Sequence, residues 1–209
     1  MGVYSTTDTP GLAQQRHVWL LSFGFCSLFA AYITAELLQT TINGSAGYVC
    51  IATVYGVLAV SCFFSPWLVA TIGSRGILPV AAVSYVVITA SYLFPNNRVF
   101  LVLACAYVGV SAAFLWNAQG AYIAACALEL SRQTKRPHTD CTSQLNGSFY
   151  AIFPLSGFAS NLLAGGVLFL FPTAVGPLFV FLTALGTLGV LSLCVLPPAE
   201  SPATLDLKL

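Results

Sequence analysis

The sequence predicts an all-α integral membrane protein with six transmembrane helices, and three observations carry that prediction. Apolar residues make up 58% of the 209-residue chain and charged residues 6%. An ordinary soluble domain is roughly a quarter charged, and so few charges cannot cover a water-facing surface of this size. The apolar runs are also continuous, unlike the short alternating segments of a membrane barrel. Finally, Arg16, Arg75, Arg132, Lys135, Arg136 and Lys208 all fall on alternate connections between the runs, leaving Arg98 alone on the others. That is the bias expected of cytosolic loops.

The elements follow in order, each apolar run being about 20 residues or longer, enough to cross the hydrocarbon core. Residues 1–17 read as a cytosolic tail. They have no basic residue before Arg16, so they lack a signal peptide's basic start, and the first apolar run is expected to be retained as a span. The spans are placed at about 18–42, 47–71, 76–94, 98–128, 146–171 and 174–196. Residues 197–209, "PPAESPATLDLKL", read as a short cytosolic tail. The long polar connection "ELSRQTKRPHTDCTSQ" divides the chain into three spans and three spans. With an odd number of spans per unit, any internal repeat must be inverted. "SLFAAYITAELLQ" faintly echoes "GVSAAFLWNAQGA", and "NGS" opens both the second and the fifth span.

Both "NGS" stretches match the acceptor pattern for N-linked sugar. Asn146 falls on the cytosolic face. Asn43 falls on the opposite face, but in a very short loop, so it is expected to carry little sugar or none. Both read better as turns, with Ser45 and Ser148 placed to cap the following helix.

Polar groups within spans mark helix contacts or a water-filled path. Tyr32, Glu36, Gln39 and Asn43 step by four, three and four along one face of the first span, and Glu36 is the one deep carboxylate. It either reaches water at the helix end or lines a cavity as a protonatable group. In the fourth span Gly109, Ala113, Asn117 and Ala121 form a small-residue seam that permits close helix approach. Gln119 and Tyr122 occupy another face. In the fifth span Pro154 should kink the helix, Gly157 and Gly165 flank Asn161, and Ser156, Ser160 and Ala164 form a second seam. The candidate cavity-lining residues are thus Tyr32, Glu36, Gln39, Asn117, Gln119, Tyr122 and Asn161, with Pro154, Gly109, Ala113, Gly157 and Gly165 shaping and packing their helices.

Other functions find no support. The seven cysteines form no Cys-x-x-Cys pair. Cys141, beside His138 and Asp140, reads as a loop residue, because no second tight pair completes a four-ligand set; no metal or cofactor is expected. His17 and His138 have no nucleophile motif near them, and no phosphate-binding glycine loop occurs, so the chain reads as a non-enzyme. A net charge of +1 gives no reason to expect a nucleic-acid partner.

Several of these stretches resemble one family. "LLSFGFCSLFAAY…LLQTTIN" is similar to the first span of the uncoordinated ninety-three-like, or ion channel regulatory protein, family of the major facilitator superfamily. "VYGVLAVSCFFSPWLVATIGSRG" is similar to its second span and second loop. "AAFLWNAQGAYIA" resembles its fourth-helix signature through Leu115, Trp116 and Gln119. "LNGSFYAIFPLSGFASNLLAG" resembles its fifth span, with Phe149, Ile152, Phe153, Ser156, Asn161 and Leu162 at matching places. The resemblance implies half of a major facilitator fold, six helices in two inverted three-helix repeats. The departures are a Pro154 where the family has Gln, and a cytosolic loop that keeps Gly73 and Arg75 but lacks the superfamily's acidic residue. The outer fifth loop is very short, and the chain has six spans against about twelve.

The implied function is an accessory or regulatory partner of an ion channel or receptor, affecting its activity or trafficking. Two alternatives stand beside it. One is a secondary transporter of a small solute, coupled to protons through Glu36 and needing a dimer or a second half. The other is a truncated half without independent activity. The expected surroundings are a plasma or endomembrane bilayer, with both termini cytosolic. The expected partner is another membrane protein or a second copy.

Overall fold

A computed structural model describes residues 11–94, 97–170 and 175–199. Helix α1 (Leu12–Asn43) is 32 residues, about 48 Å at 1.5 Å per residue, and so longer than the roughly 30 Å hydrocarbon core. It ends at Gly44, whose φ of 55° is left-handed and costs glycine little. The turn is tight. A side chain on Gly47 would lie 2.7 Å from the Gln39 carbonyl oxygen, so only glycine lets α2 (Ser45–Ser61) start so close to α1.

The expected second span is not one straight helix. α2 stops at Ser61 and α3 (Ser65–Ile72) leaves at 66°. Pro66 has no N–H for the Cys62 carbonyl; the Ser65 hydroxyl donates to that carbonyl instead, at 3.4 Å. α3 ends at Gly73, φ 92°, and α4 (Ser74–Ser91) follows directly. α5 (Arg98–Thr134) starts under a side-chain cap, the Phe100 N–H donating to Asn97 Oδ1 at 2.9 Å.

The long polar connection is a second correction. α5 runs on to Thr134 and α6 (His138–Ile152) begins after three intervening residues, so most of that stretch is helical. Cys141, Leu145 and Phe149 step by four and are all fully buried; that apolar stripe holds α6 in place, and Cys141 is a core residue of it. Asn146 and Ser148 accordingly lie inside α6. Their side chains donate back to the Thr142 and Gln144 carbonyls, and Ser148 caps nothing. Ser45 is likewise the first residue of α2, behind Gly44. α6 breaks at Phe153–Pro154, and α7 (Leu155–Leu170) continues it; the two are long and apolar enough to cross a membrane together over His138–Val167. α8 (Val175–Cys194) closes the described bundle. Five helical stretches can span a membrane, and a sixth if α2 and α3 act as one bent span.

Small residues set the helix contacts. α1 and α8 cross at Gly24 and Gly189, where a side chain on Gly189 would lie 2.8 Å from the Gly24 oxygen. α2 and α5 meet at Gly109, where it would lie 2.6 Å from the Val54 oxygen. α7 is tied to α1 by Thr34, whose hydroxyl lies 3.3 Å from the Ser160 oxygen. Between α1, α4, α5 and α6 the core is aromatic. Phe25 packs edge-on to Trp116 at 5.6 Å and Phe149 at 5.4 Å, while Phe29 meets Tyr85 at 5.1 Å and Phe153 at 5.2 Å. Such edge contacts suit the ring quadrupoles.

Candidate functional site

Three polar places stand out in the bundle. The first is a cleft of about 690 Å³ at the end of α3, lined by Val69, Gly73, Arg75, Asn117, Ala121 and Cys194, among others. α3, set at 66° to α2, forms one wall of it together with α5 and the start of α4. Asn117 secures the bend, its amide donating to the Ser65 hydroxyl at 2.6 Å and to the Ala113 carbonyl at 2.9 Å. Arg75 is the one charged side chain among the described lining residues. Its Nε donates to the Leu196 carbonyl at 2.8 Å, and the Tyr122 hydroxyl donates to the next carbonyl, Pro197, at 2.9 Å. The segment after α8 is therefore clasped to α4 and α5. The cleft presents one guanidinium among small and apolar walls.

The second place is Glu36. It is half-buried on the α1 flank and accepts a hydrogen bond from the Tyr55 hydroxyl of α2 at 3.0 Å. The expected stripe divides around it. Tyr32 turns inward against Tyr85, 5.0 Å between ring centres, and Gln39 is buried, its amide donating to the Cys105 sulfur at 3.6 Å.

The third place is the opposite end of the bundle. There Asn43 and Tyr92 share a small pocket with Ser91 and Asn97, about 10 Å³ in volume. The Asn43 amide nitrogen and the Tyr92 hydroxyl are buried with no partner among the described residues, and the space between suits a single water. The nitrogen that would carry a sugar is thus enclosed.

The structure does not gather the seven expected lining residues into one cavity. Asn117 lines the cleft, whereas Tyr32, Gln39, Gln119 and Tyr122 are core residues. The Gln119 amide nitrogen is buried with no partner among the described residues. Asn161 is exposed on α7 and donates only to its own helix, at the Gly157 carbonyl. Gly109 and Ala113 sit in the close α2–α5 seam. Among the described residues, a side chain at Gly157 or Gly165 would meet nothing within 4 Å. Pro154 falls at the α6–α7 break. Sequence reasoning missed Cys194 at the cleft and Ser65 as the partner of Asn117; the Ser-Pro pair within an apolar run was the available signal for the second.

Comparison with known proteins adds the final observation. The family model described as "Ion channel regulatory protein UNC-93" matches residues 38–206. Protein unc-93 homolog A of Bos taurus is 34% identical over 161 residues, covering 76% of this chain and 35% of that protein. Its human counterpart is 30% identical, covering 71% and 33%. The putative potassium channel regulatory protein unc-93 of Caenorhabditis elegans is 25% identical, covering 71% and 21%. The chain spans about a third of the length of the first of these relatives. With a match running from the end of α1 through α8, the chain belongs to the UNC-93 family of ion channel regulatory proteins.

Proposed function

We propose that the chain is a multi-pass regulatory partner of an ion channel or receptor, acting inside the bilayer on the partner's activity or trafficking. Family membership carries this reading. The lateral surface supports it: Phe63, Phe64 and Trp67, at the α2–α3 bend, are 84%, 64% and 69% exposed. Large aromatics of this kind suit contact with lipid or with another membrane protein. On the bias of the basic residues we read both termini as cytosolic, in a plasma or endomembrane. We read the six spans as two inverted three-helix units, half of a major facilitator fold. In each unit the middle span is the broken one, at Pro66 and at Pro154.

The test is co-expression with a panel of potassium channels, reading current amplitude and surface abundance alongside co-purification. A change in either, with the channel recovered on the tagged chain, is expected. Unchanged currents and no co-purifying membrane protein would sink the reading.

One observation favours a second reading, solute transport. Glu36 is a carboxylate within a span and is held by a tyrosine hydroxyl, a combination suited to carrying a proton. Transport would need a second copy or a second half, since substrate sites lie between repeats near the midplane. Proton-driven uptake into proteoliposomes that survives Glu36→Gln would remove Glu36 from that role.

A further inference from the structure

The cleft at the end of α3 is an amphipathic trough. Its floor is one face of α5, where Asn117, Ala121 and Ala125 step by four. That face runs about 12 Å at 1.5 Å per residue and carries nothing larger than asparagine. Ser65, bonded to Asn117, marks one end of the trough; Arg75, bonded to Leu196 beyond the end of α8, marks the other. On the α3 wall Pro66 and Ala70 are exposed, beside Trp67, which is 69% exposed. In a bilayer that open apolar side faces acyl chains. Arg75 is itself exposed and stands in the first turn of α4, where the helix start adds positive potential.

We propose that the trough holds an anionic phospholipid, its phosphate on the Arg75 guanidinium and an acyl chain along the small-residue floor. The Arg75 Nε is fixed on the Leu196 carbonyl at 2.8 Å. The other four of the five guanidinium N–H groups have no partner among the described residues, and their fork matches two phosphate oxygens. No carboxylate lines the cleft among the described residues. Glu129, one turn beyond Ala125, lies outside the lining and accepts from the Gln133 amide at 2.8 Å. A zwitterionic headgroup would leave its ammonium unmatched, so the trough favours a net negative one. A free phosphate gains the guanidinium alone, worth about fivefold at a membrane surface, whereas a lipid also fills the trough. On the orientation read above this is the cytosolic leaflet, the one that carries anionic lipid. The site goes beyond the channel-partner reading and does not depend on it.

The test reconstitutes the full chain in nanodiscs of phosphatidylcholine and phosphatidylglycerol in equal parts, and native mass spectrometry then identifies the lipid retained after mild extraction. Phosphatidylglycerol should be enriched about fivefold over phosphatidylcholine. Arg75→Gln should remove the enrichment, and Arg98→Gln, on the opposite face, should keep it. Ala121→Phe leaves the charge in place but fills the floor; it should displace the lipid as well, and it serves if Arg75→Gln does not fold. Cys194 gives a second readout. With Cys62→Ser it is the one exposed thiol left among the described residues, and N-ethylmaleimide should reach it more slowly when phosphatidylglycerol is present, with no such difference in Arg75→Gln. Equal retention of the two lipids, or enrichment that survives both Arg75→Gln and Ala121→Phe, overturns the proposal. Protection of Cys194 by soluble glycerol phosphate in phosphatidylcholine alone also overturns it, in favour of a free phosphate. So does phosphatidylglycerol gained by Glu200→Gln, which would put a protein carboxylate on Arg75.

Discussion

Replacing Gly109 by alanine adds one methyl group to α5 where α2 crosses it. That methyl would lie 2.6 Å from the Val54 carbonyl oxygen and 2.9 Å from the Val57 Cβ. The oxygen is backbone and cannot rotate away, so one helix must move. Overpacking of this kind costs about 1–3 kcal/mol, while alanine in place of glycine within a helix returns about 1 kcal/mol. A control in the same helix separates the two effects. A methyl added at Gly120 would meet nothing within 4 Å, so Gly120→Ala gains the helix term alone. The two variants should therefore differ by about 2 kcal/mol, or about 4–8 °C in unfolding midpoint for a chain of this size. The assay is heat unfolding of the detergent-solubilised chain, followed by reaction of the buried Cys50, Cys105, Cys126 and Cys141 with a fluorogenic maleimide. If both variants shift the midpoint equally, α2 and α5 do not approach this closely.

Three further outcomes follow from the same geometry. A double-mutant cycle on Asn117→Ala and Ser65→Ala should give a coupling of about 0.6–1.7 kcal/mol, the range for interhelical hydrogen bonds in membrane proteins; a coupling near zero means the bend is held by something else. Gln119→Leu removes a buried donor with no partner among the described residues and should stabilise the protein by about 1–2 kcal/mol, whereas a lowered unfolding midpoint would show that this amide has a bonded partner. Expressed in a eukaryotic host, the chain should show no glycosidase-sensitive mass, because Asn146 lies within α6 and the Asn43 amide nitrogen is enclosed; a shift lost in Asn43→Gln contradicts this.

Much of the helical content was legible in the sequence, and the misses share a cause. Hydropathy averages over a window, so it registers that a run is apolar but not where its backbone turns. It therefore joined α2 to α3, although Pro66 marked the break. It also treated the polar stretch 129–145 as a loop, although Cys141, Leu145 and Phe149 already formed an apolar face at helical spacing. Spacing likewise placed Tyr32, Glu36, Gln39 and Asn43 on one face of α1. The neighbours of that face differ along its length: Tyr85, Tyr55, Cys105 and the small pocket at Tyr92.

The two Asn-Gly-Ser stretches show what each level decides. Sequence alone determined that this is a membrane-spanning helical chain, because the shortage of charge and the length of the apolar runs are properties of composition and order. It also carried the family, since residue identity is what a family shares. Only the tertiary structure decided that one Asn-Gly-Ser makes the turn between two helices while the other lies within a helix. Both have the same local preferences, but Gly47 must let α2 start against the Gln39 carbonyl, whereas Leu145 and Phe149 gain more by remaining helical and packing into the core. The same holds for Gly109 and Gly157, which are equal in sequence terms. One meets a backbone oxygen from another helix and the other meets open space, and a close contact exists only once two helices have been brought together.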